Sequence, residues 1–145
     1  MNRILVTGGS GFIGSHIVES FQGKCAIRVL DNFRTGRREN LRGFDCELIE
    51  GDVSDRNIVA EAVRGVDSIF HLAAMVSVPE SMEKIEECNR INALGTIILL
   101  EEAAKAGVKK LILSTSAANY GDNPVSPKVE TMVPEPKSPY SITKL

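Results

Sequence analysis

Apolar residues follow two alternating rhythms along this chain: a short continuous run, then positions three or four apart. Ile4-Leu5-Val6 is such a run, closed by Thr7-Gly8-Gly9, and Phe12, Ile13, Ile17, Val18 and Phe21 then recur at helical spacing. Gly23 stops that helix, and a second strand over 26–30 ends at Asp31-Asn32. A polar loop over 33–42 leads to a third strand over 47–50. A short helix capped by Ser54 or Asp55 follows, carrying Ile58, Val59, Ala62 and Val63, and then a fourth strand over 66–72. The segment 81–106 places Met82, Ile85, Ile91, Leu94, Ile98 and Leu99 mostly on one stripe, which predicts one long helix stopped by Gly107. A fifth strand is expected over 110–114. Residues 115–137 hold Pro124, Pro127, Pro134 and Pro136 without periodicity and read as a loop, of a length that is usually functional. Ser138-Pro139 then has the form of an N-cap and first helical residue.

Strands alternating with helices predict an α/β fold with a doubly wound parallel sheet, because parallel neighbours need right-handed helical crossovers. The last helix opens only at Ser138 of 145 residues, too short a stretch to stand alone, so the sheet is expected to be truncated before its last strands and any substrate domain. The chain is thus read as one domain over 1–145, the N-terminal part of a longer protein.

A formal net charge of −2 offers no basic surface, which argues against nucleic acid as a partner and places any anion site in local backbone geometry. No stretch approaches the ~18 apolar residues of a membrane span, the richest being Ile97-Ile98-Leu99-Leu100. The opening apolar run is too short for a signal peptide, so the protein is expected in the cytoplasm. Cys25, Cys46 and Cys88 are widely spaced and read as small buried thiols. His16 and His71 stand apart from other metal-ligating residues and read as structural, so no metal site is expected.

Gly8-x-x-Gly11-x-x-Gly14 lies between the first strand and first helix, where glycines permit a tight turn and bring backbone amides and the helix N-terminus up to a pyrophosphate. Asp31 closes the second strand about 20 residues later, the position from which a carboxylate accepts the adenosine ribose hydroxyls and repels a 2′-phosphate. That favours NAD over NADP, although Arg34, Arg37 and Arg38 follow closely and could hold a phosphate. Tyr140 and Lys144, four apart at the start of a helix, share a face. A phenol ordinarily ionises near pH 10, and a neighbouring ammonium favours the phenolate.

Thr7-Gly8-Gly9-Ser10-Gly11-Phe12-Ile13-Gly14, Asp31-Asn32, Gly51-Asp52-Val53, His71-Leu72-Ala73-Ala74 and Tyr140-x-x-x-Lys144 together resemble the extended short-chain dehydrogenase/reductase family. Within it, Ser114-Thr115-Ser116-Ala117-Ala118-Asn119-Tyr120-Gly121-Asp122 and Ser138-Pro139-Tyr140 resemble the UDP-glucose/UDP-N-acetylglucosamine 4-epimerase branch. The resemblance implies a Rossmann-type NAD-binding domain and an isomerase that passes through a 4-keto sugar. It implies Ser116, Tyr140 and Lys144 as catalytic residues. It implies Gly8, Gly11, Phe12, Ile13, Gly14, Asp31, Asn32, Thr35, Gly36, Asp52, Val53, Leu72, Ala73, Ala74, Asn92 and Ser114, with Tyr140 and Lys144, as cofactor-binding residues. Asp52-Val53 would sit against the adenine, and Asn92 would tie the long helix to the active-site strand.

The partners it implies are a UDP-sugar and a second copy of the enzyme, with the long helix and the Tyr-Lys helix paired across the homodimer. Related nucleotide-sugar dehydratases place an acid just after the Ser/Thr, where this chain has Ala117 and Ala118, so elimination lacks its acid/base group. Three other readings stay open here: a cofactor-binding fragment without turnover, a nucleotide-sugar dehydratase, and an NADP-dependent reductase of the same family.

Overall fold

β-branched and leucine side chains pack well on a pleated surface, and Arg3–Thr7 forms the first strand, β1, with Ile4, Leu5 and Val6 all buried. The computed structural model describes residues 2–145. The strands that follow are β2 (Ala26–Asp31), β3 (Glu47–Glu50), β4 (Ser68–His71) and β5 (Lys110–Leu113). All pair in parallel in the order β3-β2-β1-β4-β5. The expected fold class is therefore the observed one, a five-stranded parallel sheet with helices on both faces.

Alternation along β1 divides the core in two. Ile4 and Val6 point to a cluster with Val18 of α1 (Phe12–Ser20), together with Ile27 and Val29. Leu5 points the other way, to Leu30, Ile69, Val59 of α2 (Arg56–Ala62) and Leu99 of α5 (Gly95–Ala106). Arg28 of β2 is buried at the opposite end of the sheet from the strand C-termini. Its guanidinium donates to Glu47 at 2.9 Å and to the carbonyls of Ala62 at 2.7 Å and Arg64 at 2.8 Å, satisfying the last turn of α2.

The single helix expected over 81–106 is three pieces. α3 (Val78–Glu83) starts early because Ser77 caps it, accepting from the Glu80 amide at 3.3 Å, and Pro79 sits in its first turn. It stops at Lys84, whose backbone leaves the helical region with φ −123 and ψ 57, and α4 (Ile85–Asn89) resumes the path. A π-helical turn, Arg90–Leu94, joins α4 to α5. There the Thr96 hydroxyl donates to the Asn92 carbonyl at 2.5 Å, competing with the backbone ladder.

The loop expected over 33–42 contains a 3₁₀ turn, Arg38–Leu41, anchored by buried Leu41. The loop over 115–137 likewise opens with a 3₁₀ turn, Ala117–Tyr120. Asp55, rather than Ser54, caps α2. Ser138 caps α6 (Pro139–Thr143) as expected, its hydroxyl accepting from the Ser141 amide at 3.1 Å while the Ser141 hydroxyl accepts from the Ser138 amide at 2.9 Å. Among the described residues no helix is long and apolar enough to cross a membrane, and no cluster of His, Cys, Asp or Glu could hold a metal ion.

Candidate functional site

β1, β2 and β3 run outward in one direction from β1, and β4 and β5 in the other, so the C-terminal ends of β1 and β4 part to leave a crevice. It opens into a cavity of about 440 Å³, within the usual range for small-molecule sites. The turn from β1 to α1 forms one wall. Gly8 has φ +70, a left-handed conformation, and a Cβ there would stand 2.8 Å from the Ala73 amide nitrogen. A Cβ on Gly14 would stand 2.3 Å from the Gly8 carbonyl oxygen, so only glycine lets α1 begin this close to the turn. Gly11 caps α1 without a side chain, and the amides of Phe12, Ile13 and Gly14 find no acceptor among the described residues. Those residues line the cavity, and their free donors at a helix N-terminus suit a diphosphate.

Asp31 ends β2 against the same turn. Its carboxylate accepts from the Ser10 amide at 2.9 Å and the Phe33 amide at 2.8 Å, one bond to each oxygen, which fixes the group and leaves a lone pair on each for a ligand hydroxyl. The loop beyond it is strapped to the turn through the Ser10 carbonyl, which accepts from the Arg37 amide at 3.1 Å and from Asn40 Nδ2 at 2.8 Å. Asn32, Thr35 and Gly36 of this loop line the cavity, as do Val53, Leu72, Ala73 and Ala74. The residues present thus fit a dinucleotide from diphosphate to ribose.

The same cavity is also lined by Ser114, Tyr140 and Lys144. Lys144 is buried and donates from Nζ to the Ser114 carbonyl at 3.0 Å, which ties α6 to the end of β5. Burial holds its ammonium below the ordinary lysine range, with a smaller opposing effect from Cys88. Below this wall His71 is buried between two hydroxyls, with Nδ1 2.6 Å from Thr7 Oγ1 and Nε2 2.9 Å from Thr96 Oγ1.

Three expected site residues are not brought into the cavity wall. Asp52 lies between Gly51 and Val53, which line it, but its carboxylate accepts from Asn32 Nδ2 at 3.0 Å and from the Ser54 amide and hydroxyl at 2.8 and 2.6 Å. Burial raises its pKa, but the bonds from Ser54 and Asn32 and the charge of Arg90 outweigh this and hold it below the usual carboxylate range. Asn92 is buried, accepting from the Met75 amide at 2.8 Å and donating to the Met75 carbonyl at 3.1 Å and to Thr143 Oγ1 at 2.9 Å. It ties the π turn to the segment after β4 and to α6, with its amide spent on protein partners. Ser116 caps the 3₁₀ turn, accepting from the Ala118 amide at 3.2 Å, while Ser114 and Thr115 occupy the wall.

The cavity also takes in Arg34, together with Met75, Val76 and Ile91, which the sequence reading did not place in the site. Arg34 was visible as part of a basic loop; the apolar three carry no signal that separates them from core residues.

Curated relatives include UDP-glucose 4-epimerases of Yersinia pestis, 38% identical over 98% of this chain and 45% of that protein, and of Corynebacterium glutamicum, 38% identical over 99% of this chain and 44% of that protein. The chain therefore spans a little under half the length of these relatives. Among solved structures, UDP-N-acetylglucosamine 4-epimerase of Methanobrevibacter ruminantium in complex with UDP-N-acetylmuramic acid superposes with a TM-score of 0.92 at 35% identity, over 99% of this chain and 47% of that one. UDP-glucose 4-epimerase of Thermus thermophilus in complex with NAD gives 0.89 at 41% identity, over 98% of this chain and 47% of that one. A glycine turn, the Asp31 carboxylate and a Tyr-Lys helix lining one cavity accord with a family match running over residues 4–145, and the chain belongs to the NAD dependent epimerase/dehydratase family.

Proposed function

We propose that this chain is the cofactor-binding half of a nucleotide-sugar 4-epimerase that interconverts UDP-glucose and UDP-galactose, or their N-acetyl forms. The observation that carries the reading is that Tyr140 and Lys144 stand on the wall of the same cavity as the glycine turn and Asp31. NAD, when bound there, supplies the acceptor that takes a hydride from the sugar and returns it. Gly8 to Gly14 and the free amides of α1 would hold its diphosphate, and Asp31 its adenosine ribose.

Tyr140, as phenolate, would take the proton of the C4 hydroxyl, and the phenol so formed would give it back when the 4-keto sugar has turned over. Lys144, fixed on the Ser114 carbonyl, sets a positive charge at the phenol's end of the cavity. Its depressed pKa makes it a ready proton donor. Ser116 follows Thr115 of the wall, and because its oxygen accepts from Ala118 its own O–H stays free to meet the substrate hydroxyl. Ala117 and Ala118 bring no carboxyl, which supports epimerisation over elimination.

The relatives are more than twice as long as the matched stretch, and we infer that the sugar-nucleotide contacts come chiefly from that remainder, the 145-residue chain alone being inactive. The enzyme carrying both halves is expected to convert UDP-galactose or UDP-N-acetylgalactosamine to its epimer with no net consumption of NAD. No epimer from either sugar, in protein that binds NAD, would reject the reading.

The same enzyme is inferred to be a homodimer. Leu94, Ile97 and Leu100 form an apolar row at i, i+3 spacing, about half exposed at 46, 51 and 48%, and Ile142 of α6 is 60% exposed. A row of this kind on the π turn and α5 suits a self-complementary helix contact about a two-fold axis. Sedimentation is expected to give a dimer that Ile97→Glu converts to monomer. A wild-type monomer at micromolar concentration would contradict it.

A further inference from the structure

The loop after β2 holds three arginines within five positions, Arg34, Arg37 and Arg38. Arg34 is the one that lines the cavity, next to Asn32 and Thr35. Its guanidinium reaches across to the helices beyond β4, with Nη2 2.6 Å from Glu80 of α3 and Nη1 2.8 Å from Glu87 of α4. Both terminal nitrogens are thereby spent on carboxylates. Glu80 also accepts from Lys84 Nζ at 3.0 Å, so this cluster of two cations and two anions is neutral within itself. The Arg34 backbone is fixed as well, its amide donating to Asn32 Oδ1 at 3.0 Å. Arg38 is paired with Glu50 and lies over the Phe33 ring at 4.1 Å, and Arg37 does not line the cavity.

A 2′-phosphate differs from a ribose hydroxyl by a charge that Asp31 repels and that an arginine fork would receive in bidentate fashion. Exclusion of the phosphate therefore requires both that the carboxylate be present and that the neighbouring guanidinium be occupied. We propose that Glu80 and Glu87 are specificity-determining residues for the dinucleotide: by holding Arg34 they withhold the cation that would otherwise meet a 2′-phosphate beside Asp31, and so reinforce the exclusion of NADP. This rests on the reading of the cavity as the NAD site.

The test is titration of the nucleotide-free enzyme with NAD⁺ and NADP⁺, read as the ratio of their dissociation constants. In the E80Q/E87Q variant Arg34 is released, and NADP⁺ should gain about tenfold on NAD⁺, the factor of one charge-assisted bond to phosphate. Adding R34A to that variant should return the ratio to the wild-type value. R34A alone should leave the ratio unchanged, because Arg34 is already occupied.

An unchanged ratio in E80Q/E87Q with NAD⁺ binding retained would overturn the proposal and leave the NAD site standing. Persistence of the gain in the triple variant would overturn it too, since two lost negative charges, rather than Arg34, would then be the cause. Should E80Q/E87Q fail to fold, a weaker hold on NADP⁺ in R34A alone overturns the proposal, because Arg34 would already be serving the phosphate. Wild-type enzyme that binds neither dinucleotide would overturn this proposal together with the reading it rests on.

Discussion

Tyr140→Phe is expected to lower epimerase turnover by about 10²–10⁴-fold while leaving the fold and NAD binding in place. The ring of Tyr140 packs against the core cluster that contains Leu5 and Leu99, and phenylalanine keeps that packing. The phenolic oxygen makes no hydrogen bond to any other described residue, so its removal strands no buried partner. The lost group is therefore the one that would move the C4 proton, and the loss should fall on kcat. Equal far-ultraviolet spectra and NAD stoichiometry for the two proteins, with kcat reduced, is the expected pattern. A reduction of less than tenfold would remove Tyr140 from the role of acid and base.

Much of this site was legible because its signals are local. The β1 turn announces itself by three glycines at fixed spacing, and Asp31 by standing at the end of an apolar run; neither needs knowledge of a distant residue. α6 was marked by Ser138-Pro139, whose capping geometry is set within four residues.

What escaped was set by partners remote in the chain. Apolar spacing from Met82 through Leu99 continues across Lys84, so the helical period carries no trace of the break there. Asn92 reads as a tie between the long helix and the active-site strand, but its partners, Met75 and Thr143, lie 17 and 51 residues away and carry no signal of their own. The Asn32 and Arg90 contacts of the Asp52 carboxylate, 20 and 38 residues away, carry no sequence signal either. The arginines of the β2 loop read as free charge because Glu80 and Glu87 lie 46 and 53 residues from Arg34.

Acidification from pH 6.5 to pH 4 is expected to cost the protein about 3 kcal/mol of stability through His71 alone. The ring is 1% exposed, and the hydroxyls around it fix which nitrogen carries the proton. Thr96 donates its own proton to the Asn92 carbonyl, so it accepts from His71 Nε2–H. Thr7 Oγ1 accepts from the amides of Leu72 and Ala73 at 3.2 Å each, so its proton goes to Nδ1. A second ring proton would have to displace that donor in a buried site.

Burial first, and the charge of Lys144 second, push the His71 pKa down to about 4 from the ordinary 6.5. Between those two values the unfolded chain binds a proton that the folded chain refuses, so stability is whole above pH 6.5 and drains as pH falls toward 4. The depressed carboxylates Asp52, Asp67, Glu80 and Glu102 act in the same direction, but only from the ordinary carboxylate range downward, so the upper part of the window belongs to the histidine.

Urea midpoints taken at half-unit intervals should fall through this window in the wild type and stay level between pH 6.5 and 4.5 in His71→Gln. A level wild-type profile would show that the ring is protonated in the fold or open to water. Because the folded ring stays neutral until the pH nears 4, and Thr7 couples it to the Leu72-Ala73 wall, the affinity for NAD should hold between pH 6.5 and 4.5 while the stability falls.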